Sequence, residues 1–374
     1  MIIYLLPHEI SYARIALMIE EIRREIENSI ASFMTQIKKE YKLHLVNPVL
    51  YESIREYSLR KGKRLRPLLL ILTYQGYSPK NKPLSKALFN ASTCIELLHN
   101  FMLIHDDIID RSHLRRGKPT LHKLLGNTVP SSDKEKLGYN LGIIAGDIVY
   151  AFAIDAFLAV KESPLRKERA LKYFIQTAAF TAMGEFIDTV HGVQPLHQIK
   201  EKDVFLNYTL KTARYTFDCP MVTGAILAGA PEKDIKKLSL IGLHVGQAFQ
   251  IQDDIIGIFD TEKNIGKSIL SDLVESKKTL LVCHAYRTLR GLKRKQFTAC
   301  FNKPKKTYKD LVTIRKIFIQ SGSLIYSLKA VEKRLTEALR LFQEIKMEKE
   351  VRYVIEEAIQ SLFKHSAVIA EQYL

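Results

Sequence analysis

The sequence has no tryptophan and only four cysteines in 374 residues. Cys94, Cys219, Cys283 and Cys300 form no C-x-x-C pair, and their spacing matches no zinc site, so neither a disulfide framework nor a structural zinc is expected. The four thiols read as buried or idle groups in a reduced, cytoplasmic compartment. Gly 17 and Pro 12 are too few for a collagenous, low-complexity or loop-rich chain. Asn-Gly, Asp-Gly and Gly-Gly are absent, which removes the strongest hairpin signals. The amino terminus has no basic stretch ahead of its apolar start and meets an acid at Glu9, which argues against a secretory signal. The longest apolar run, 139–160, carries Asp147 and Asp155. Charges at that depth are costly in a bilayer, so no transmembrane segment is expected, and only peripheral membrane contact is left open.

Acids are also in short supply. Lys plus Arg is 57 against 40 for Asp plus Glu, a formal net charge of +17. Such an excess suggests an anionic partner: nucleic acid, anionic lipid or a phosphorylated small molecule. The cations cluster twice. Residues 60–66, RKGKRLR, hold five, and residues 287–309 hold nine with no acid. The second cluster contains Gly291 and Pro304 and reads as a solvated loop. It lacks aromatics placed for base stacking, so nucleic-acid binding is not expected.

What the chain does have is helical periodicity. Apolar residues recur three to four apart nearly throughout. The spacing predicts helices over 9–44, 48–60, 63–76, 84–111, 138–161, 164–191, 201–216, 217–229, 232–259, 277–291, 309–320, 323–345 and 348–372. Pro164 and Pro231 stand at first-turn positions. Residues 112–137, 260–276 and 292–308 read as loops. Long helices with modest connections point to an all-α protein, one large helical bundle spanning 1–374 as a single domain.

Two acidic motifs stand near the ends of long apolar segments: HNFMLIHDDIID at 99–110 and FQIQDDIIG at 249–257. Asp106 and Asp110 are i and i+4, on one helix face, with Asp107 beside them. Gln250, Asp253, Asp254 and Gly257 form a second stripe. Carboxylates in apolar surroundings are expensive unless paired or bound to a cation. Clustered carboxylate oxygens suit Mg²⁺, which commonly bridges to phosphate oxygens. Cations complete the picture: Lys63, Arg64 and Arg66 in GKRLRP, Arg115 and Arg116 in HLRRGKPT, Lys211-Thr212 and Lys267. Acids for a metal and cations for an anion, together on helices, point to a diphosphate substrate.

These motifs, with AGD at 145–147 and GKSILSDLVESKKTLL at 266–281, resemble in content and order those of the trans-isoprenyl diphosphate synthases. The motif-bearing core covers about 45–290. The resemblance implies a bundle of the isoprenoid synthase type with a central active-site cavity, a homodimer of two identical chains, and Mg²⁺ as cofactor. It implies isopentenyl diphosphate and allylic diphosphates as substrates. Asp106, Asp107, Asp110, Asp253 and Asp254 would bind metal, directly or through water. Arg115, Lys211 and Lys267 would hold the allylic diphosphate. Lys63, Arg66, His99 and Arg116 would hold isopentenyl diphosphate. Thr212, Gln250 and Tyr215, with Lys211, would flank the carbocation. Two departures stand out: Gly257 where many members have a third Asp, and Glu185, before Asp188, where Gln is usual.

In that family the residues just before the first Asp motif set product length, which places Phe101 and Met102 at the cavity floor. One aromatic at this depth, and no insertion inside DDIID, resembles the archaeal geranylgeranyl type. A farnesyl or mixed C15/C20 product is the alternative. From another class, the rivals are a non-catalytic partner subunit and a basic scaffold binding nucleic acid or membrane.

Overall fold

The computed structural model describes residues 12–80, 82–260, 273 and 276–373. The helices run in the order α1 (Tyr12–Glu40), α2 (Leu43–Val46), α3 (Pro48–Ser58), α4 (Leu65–Tyr77) and α5 (Lys86–Ile109). A short hairpin follows, β1 (Leu114–Arg115) and β2 (Lys118–Pro119), then α6 (Leu121–Gly126), α7 (Lys134–Leu158) and α8 (Pro164–Val193). Next come α9 (Glu201–Asn207), a π-helical stretch Tyr208–Asp218, α10 (Cys219–Ala228) and α11 (Glu232–Phe259). The chain closes with α12 (Leu280–Thr288), α13 (Gly291–Phe301), α14 (Tyr308–Gln320), α15 (Ser323–Phe342), α16 (Lys349–Ser361) and α17 (Lys364–Tyr373).

The expected all-helical architecture holds, and its ends have local causes. Ser85 caps α5 by accepting from Leu88 N at 3.2 Å. Gly229, at φ 82, closes α10 before Pro231 opens α11. Several boundaries differ from the sequence expectation. The single helix over 9–44 breaks at Lys42, φ 48. Helix α7 begins at Lys134, because Asp133 Oδ1 accepts from Lys136 N. The 348–372 helix is two helices, α16 and α17.

Two expected loops are also ordered. Within 112–137, β1 and β2 pair antiparallel through a turn at Arg116 (φ 55) and Gly117 (φ 73). Both central residues are left-handed, as a tight hairpin requires, although the dipeptide is Arg-Gly. The basic stretch 292–308 contains α13, because Phe297, Cys300 and Phe301 bury one face. Gly291 is the first residue of that helix, and Pro304 lies just beyond its end.

One hydrophobic core runs from α1 to α17. Among its fully buried side chains are Phe157, Phe174, Phe217, Phe297 and Phe318. By length and composition α5 and α7 could each cross a membrane. In the fold, α5 is mostly buried against α7, while α7 leaves Ile143, Ile144 and Leu158 exposed.

The π stretch lies between α8 and α11, and glycines let it approach both. A Cβ at Gly184 of α8 would overlap the Lys211 backbone, and one at Gly246 of α11 would overlap Ala213. Gly246→Ala should therefore force the stretch outward. Overpacking of this kind costs about 1–3 kcal/mol. The melting temperature is expected to fall, and an unchanged value would show that the contact yields easily.

Candidate active site

The π stretch is the strut of the site, because its side chains reach both acidic motifs. Lys211 Nζ lies 3.5 Å from Asp106 Oδ1, and 2.7 Å from both Glu185 Oε2 and Asp188 Oδ2. Thr212 Oγ1 donates to Gln250 Oε1 at 2.6 Å. Tyr208 donates to Asp254, and its oxygen accepts from Leu280 N at 2.9 Å. Residues 208, 212 and 216 thus form one stripe at intervals of four, close to the wider turn of a π-helix.

Within each aspartate pair the second member turns inward. Asp107 is 0% exposed. Its Oδ1 accepts from Arg115 Nε at 2.8 Å and Nη2 at 2.5 Å, and its Oδ2 accepts from the Tyr57 hydroxyl at 3.2 Å. Asp254 is buried as well: Gln250 Nε2 donates to Oδ1 at 3.0 Å and Tyr208 to Oδ2. The oxygens of Asp107 and Asp254, two of the expected metal ligands, hold Arg115, Tyr57, Gln250 and Tyr208 in this structure. Asp106 keeps 23% of its side chain exposed, and Asp253 is exposed. Asp110, at the end of α5, is half-buried.

The electrostatics follow from this crowding. Burial lifts the Asp106 carboxyl, but Lys211 and Arg115 outweigh it and hold it below the ordinary carboxylate range. Burial raises Asp107 and Glu185 above that range, against the pull of Arg115 and Lys211 respectively. Burial also disfavours the Lys211 ammonium, yet Asp106, Asp188 and Glu185 push its pKa up and keep it charged. Glu185 is therefore a full member of the site, a third acid on Lys211.

A second group of cations gathers where α4 begins. Arg66 Nη2 donates to the Tyr215 hydroxyl at 2.9 Å and to Thr216 Oγ1 at 2.8 Å, and its guanidinium lies 4.5 Å from the Tyr215 ring centre. His99 stacks obliquely on the same ring at 6.0 Å. Burial, then Arg66 and Arg116, push the His99 pKa well down, so the ring is neutral at physiological pH. Arg66 Nε and His99 Nδ1 are buried without a hydrogen-bond partner from the protein. Arg116 Nη1 donates to Arg60 O at 3.2 Å, and Lys63 is exposed on the same loop. Lys267 lies outside the described residues.

Below the first motif, the Phe101 ring packs 4.9 Å from that of Tyr150 and 4.7 Å from His105. Met102 is partly buried beside the core. Tyr57, Tyr150 and Tyr208 were not singled out by sequence. Only Tyr208 carried a signal, its interval of four before Thr212.

Among the described residues, no three His, Cys, Asp or Glu side chains converge into a closed metal cage. Asp106, Asp110 and Asp253 offer hard oxygens from two helices. Carboxylate oxygens are the donor chemistry that suits Mg²⁺, which keeps waters and takes phosphate oxygens.

The family model described as polyprenyl synthetase matches residues 47–318. The geranylgeranyl diphosphate synthase of Sulfolobus acidocaldarius is 30% identical over 326 residues, 87% of this chain and 92% of that one. The geranylfarnesyl diphosphate synthase of Aeropyrum pernix is 32% identical, covering 71% and 78%. Among solved structures, geranylgeranyl pyrophosphate synthetase from Pyrococcus horikoshii superposes with a TM-score of 0.79 at 26% identity, covering 94% of this chain and 99% of that one. A geranylgeranyl pyrophosphate synthase from Corynebacterium glutamicum, complexed with isoprenyl diphosphate and magnesium, shares the fold at a TM-score of 0.81 and 22% identity, covering 91% and 98%.

Proposed function

The chain belongs to the polyprenyl synthetase family, and from that premise we propose that it is a short-chain trans-prenyltransferase making mainly geranylgeranyl diphosphate. It condenses isopentenyl diphosphate with an allylic diphosphate. The observation that carries this reading is the π stretch, which ties Lys211 and Thr212 to both acidic motifs at once.

Asp106, Asp110 and Asp253 would hold Mg²⁺, which when bound offsets charge on the allylic diphosphate. Arg115 and Lys211 are aimed at the same diphosphate and stabilise the charge that builds on it as the C–O bond breaks. Thr212, Gln250 and Tyr215 line the allylic cation. The double bond of isopentenyl diphosphate attacks that cation, and a proton leaves to the departed diphosphate. Arg66, Arg116, His99 and Lys63 hold the second diphosphate. The apolar helices exclude water that would quench the cation.

Two identical chains pairing through α7 and α8 would cover the exposed Ile143, Ile144, Ile175, Met183 and Phe186. The reading also includes a single domain in a reduced, cytoplasmic setting, which suits four free thiols.

The two cation groups predict separable defects. Arg116→Ala should mainly raise KM for isopentenyl diphosphate, and Lys211→Ala mainly weaken use of the allylic substrate. Initial rates with each substrate varied in turn would test this. Equal losses for both substrates in each variant would show that the two pockets are misassigned.

A further inference from the structure

Arg64 belongs to the cationic GKRLRP run, yet it faces away from the site. Its backbone is left-handed, φ 47, and its side chain is 0% exposed. Nε donates to Glu27 Oε1 at 2.7 Å, and Nη2 to Glu27 Oε2 at 3.0 Å. Nη1 donates to Glu96 Oε1 at 2.5 Å. Nη2 also donates to the carbonyls of Ser58 at 3.2 Å and Arg60 at 2.9 Å. A buried guanidinium with two carboxylates and two carbonyls around it is a rigid anchor, because its planar fork fixes every partner.

The Arg60 carbonyl is shared. It accepts from Arg64 on the buried side and from Arg116 Nη1, at 3.2 Å, on the site side. Arg116 Nη1 also donates to Lys61 O at 3.4 Å. Gly62 abuts the Arg116 guanidinium closely enough that a Cβ there would lie 3.0 Å from Nη1. The Arg60 side chain reaches the hairpin, donating to Pro119 O at 2.9 Å. The 58–63 loop is thus clamped between Arg64 inside and Arg116 outside.

We propose that Arg64, held by Glu27 of α1 and Glu96 of α5, is a positioning residue for the isopentenyl diphosphate pocket: it sets Arg116 through the Arg60 carbonyl and fixes the loop that presents Lys63. This rests on the prenyltransferase reading. It also gives α1, which bears none of the family motifs, a part in substrate binding.

The test uses the full chain with Glu27→Gln and Arg64→Lys. Both substrates are varied in kinetics, and isopentenyl diphosphate binding is measured by calorimetry. Glu27→Gln is expected to raise KM for isopentenyl diphosphate roughly three- to tenfold, and Arg64→Lys further. KM for the allylic substrate and kcat should stay within about twofold, the pattern of lost uniform binding of one substrate. A merely structural role would lower the melting temperature without splitting the two KM values, and that result would overturn the proposal. If Arg64→Lys does not fold, Glu27→Gln decides alone, since Glu27 keeps 36% of its side chain exposed and its amide is close in shape. A wild type that binds isopentenyl diphosphate but transfers no prenyl group would sink the functional reading. In that case the calorimetric affinities of the two variants still decide the role of Arg64.

Discussion

Asp106→Ala and Asp253→Ala are each expected to lower turnover by at least ~10²-fold, the scale for losing a group that stabilises charge in the transition state. Asp106 keeps part of its side chain open while touching Lys211 and Arg115. Asp253 is exposed at the corresponding place on α11. Removing Asp106 leaves Lys211 with Glu185 and Asp188, so the fold should survive, and circular dichroism and melting temperature should stay near wild type. Asp107→Ala should behave differently. It strips Arg115 of the oxygen that accepts two of its N–H groups and Tyr57 of its acceptor, so stability should fall along with activity. Near-wild-type turnover in Asp106→Ala or Asp253→Ala would remove the two-motif site.

Phe101→Ala is expected to lengthen the product. Phe101 stands five residues before Asp106, about 7.5 Å along the helix at 1.5 Å per residue. A growing isoprenoid tail is apolar, so only shape can stop it at this depth. The Phe101 ring packs tilted on Tyr150 of α7, with ring centres 4.9 Å apart and 34° between the planes. Forcing another isoprene unit against such packing costs about 1–3 kcal/mol. That is roughly a ten- to hundredfold preference for release over a further round. The variant should make chains beyond C20 while keeping most of its first condensation rate. Tyr150 remains as a partial floor, so Phe101→Ala with Tyr150→Ala should extend the products again. Chromatography showing the wild-type product distribution in Phe101→Ala would make the ring ordinary core packing.

The helices were legible because apolar residues at intervals of three to four need no tertiary information. The two Asp motifs and the GKRLRP run were legible because charge in apolar sequence has few bland explanations. Which aspartate of each pair faces inward was not. Neighbouring residues on a helix differ by only about 100° in direction, and the partners that decide the matter, Tyr57 and Tyr208, lie far off in sequence. The π stretch was hidden for a similar reason. It depends on Gly184 and Gly246 meeting it from two other helices. The hairpin escaped because Arg116 adopts a positive φ that its residue type does not advertise, and the close packing of Gly62 on its guanidinium is a tertiary contact. Glu185 was visible as a departure, but its place on Lys211 emerged only from the fold.

Prenyl transfer at a metal site built from both acidic motifs can be tested in a single assay. The most direct measurement incubates the purified chain with isopentenyl diphosphate and each allylic primer in turn, with Mg²⁺ or with a chelator, and separates the products by chain length. A mainly C20 diphosphate that requires both substrates and Mg²⁺ is expected. Absence of any prenyl product with Mg²⁺ present, or equal product in chelator, would contradict it.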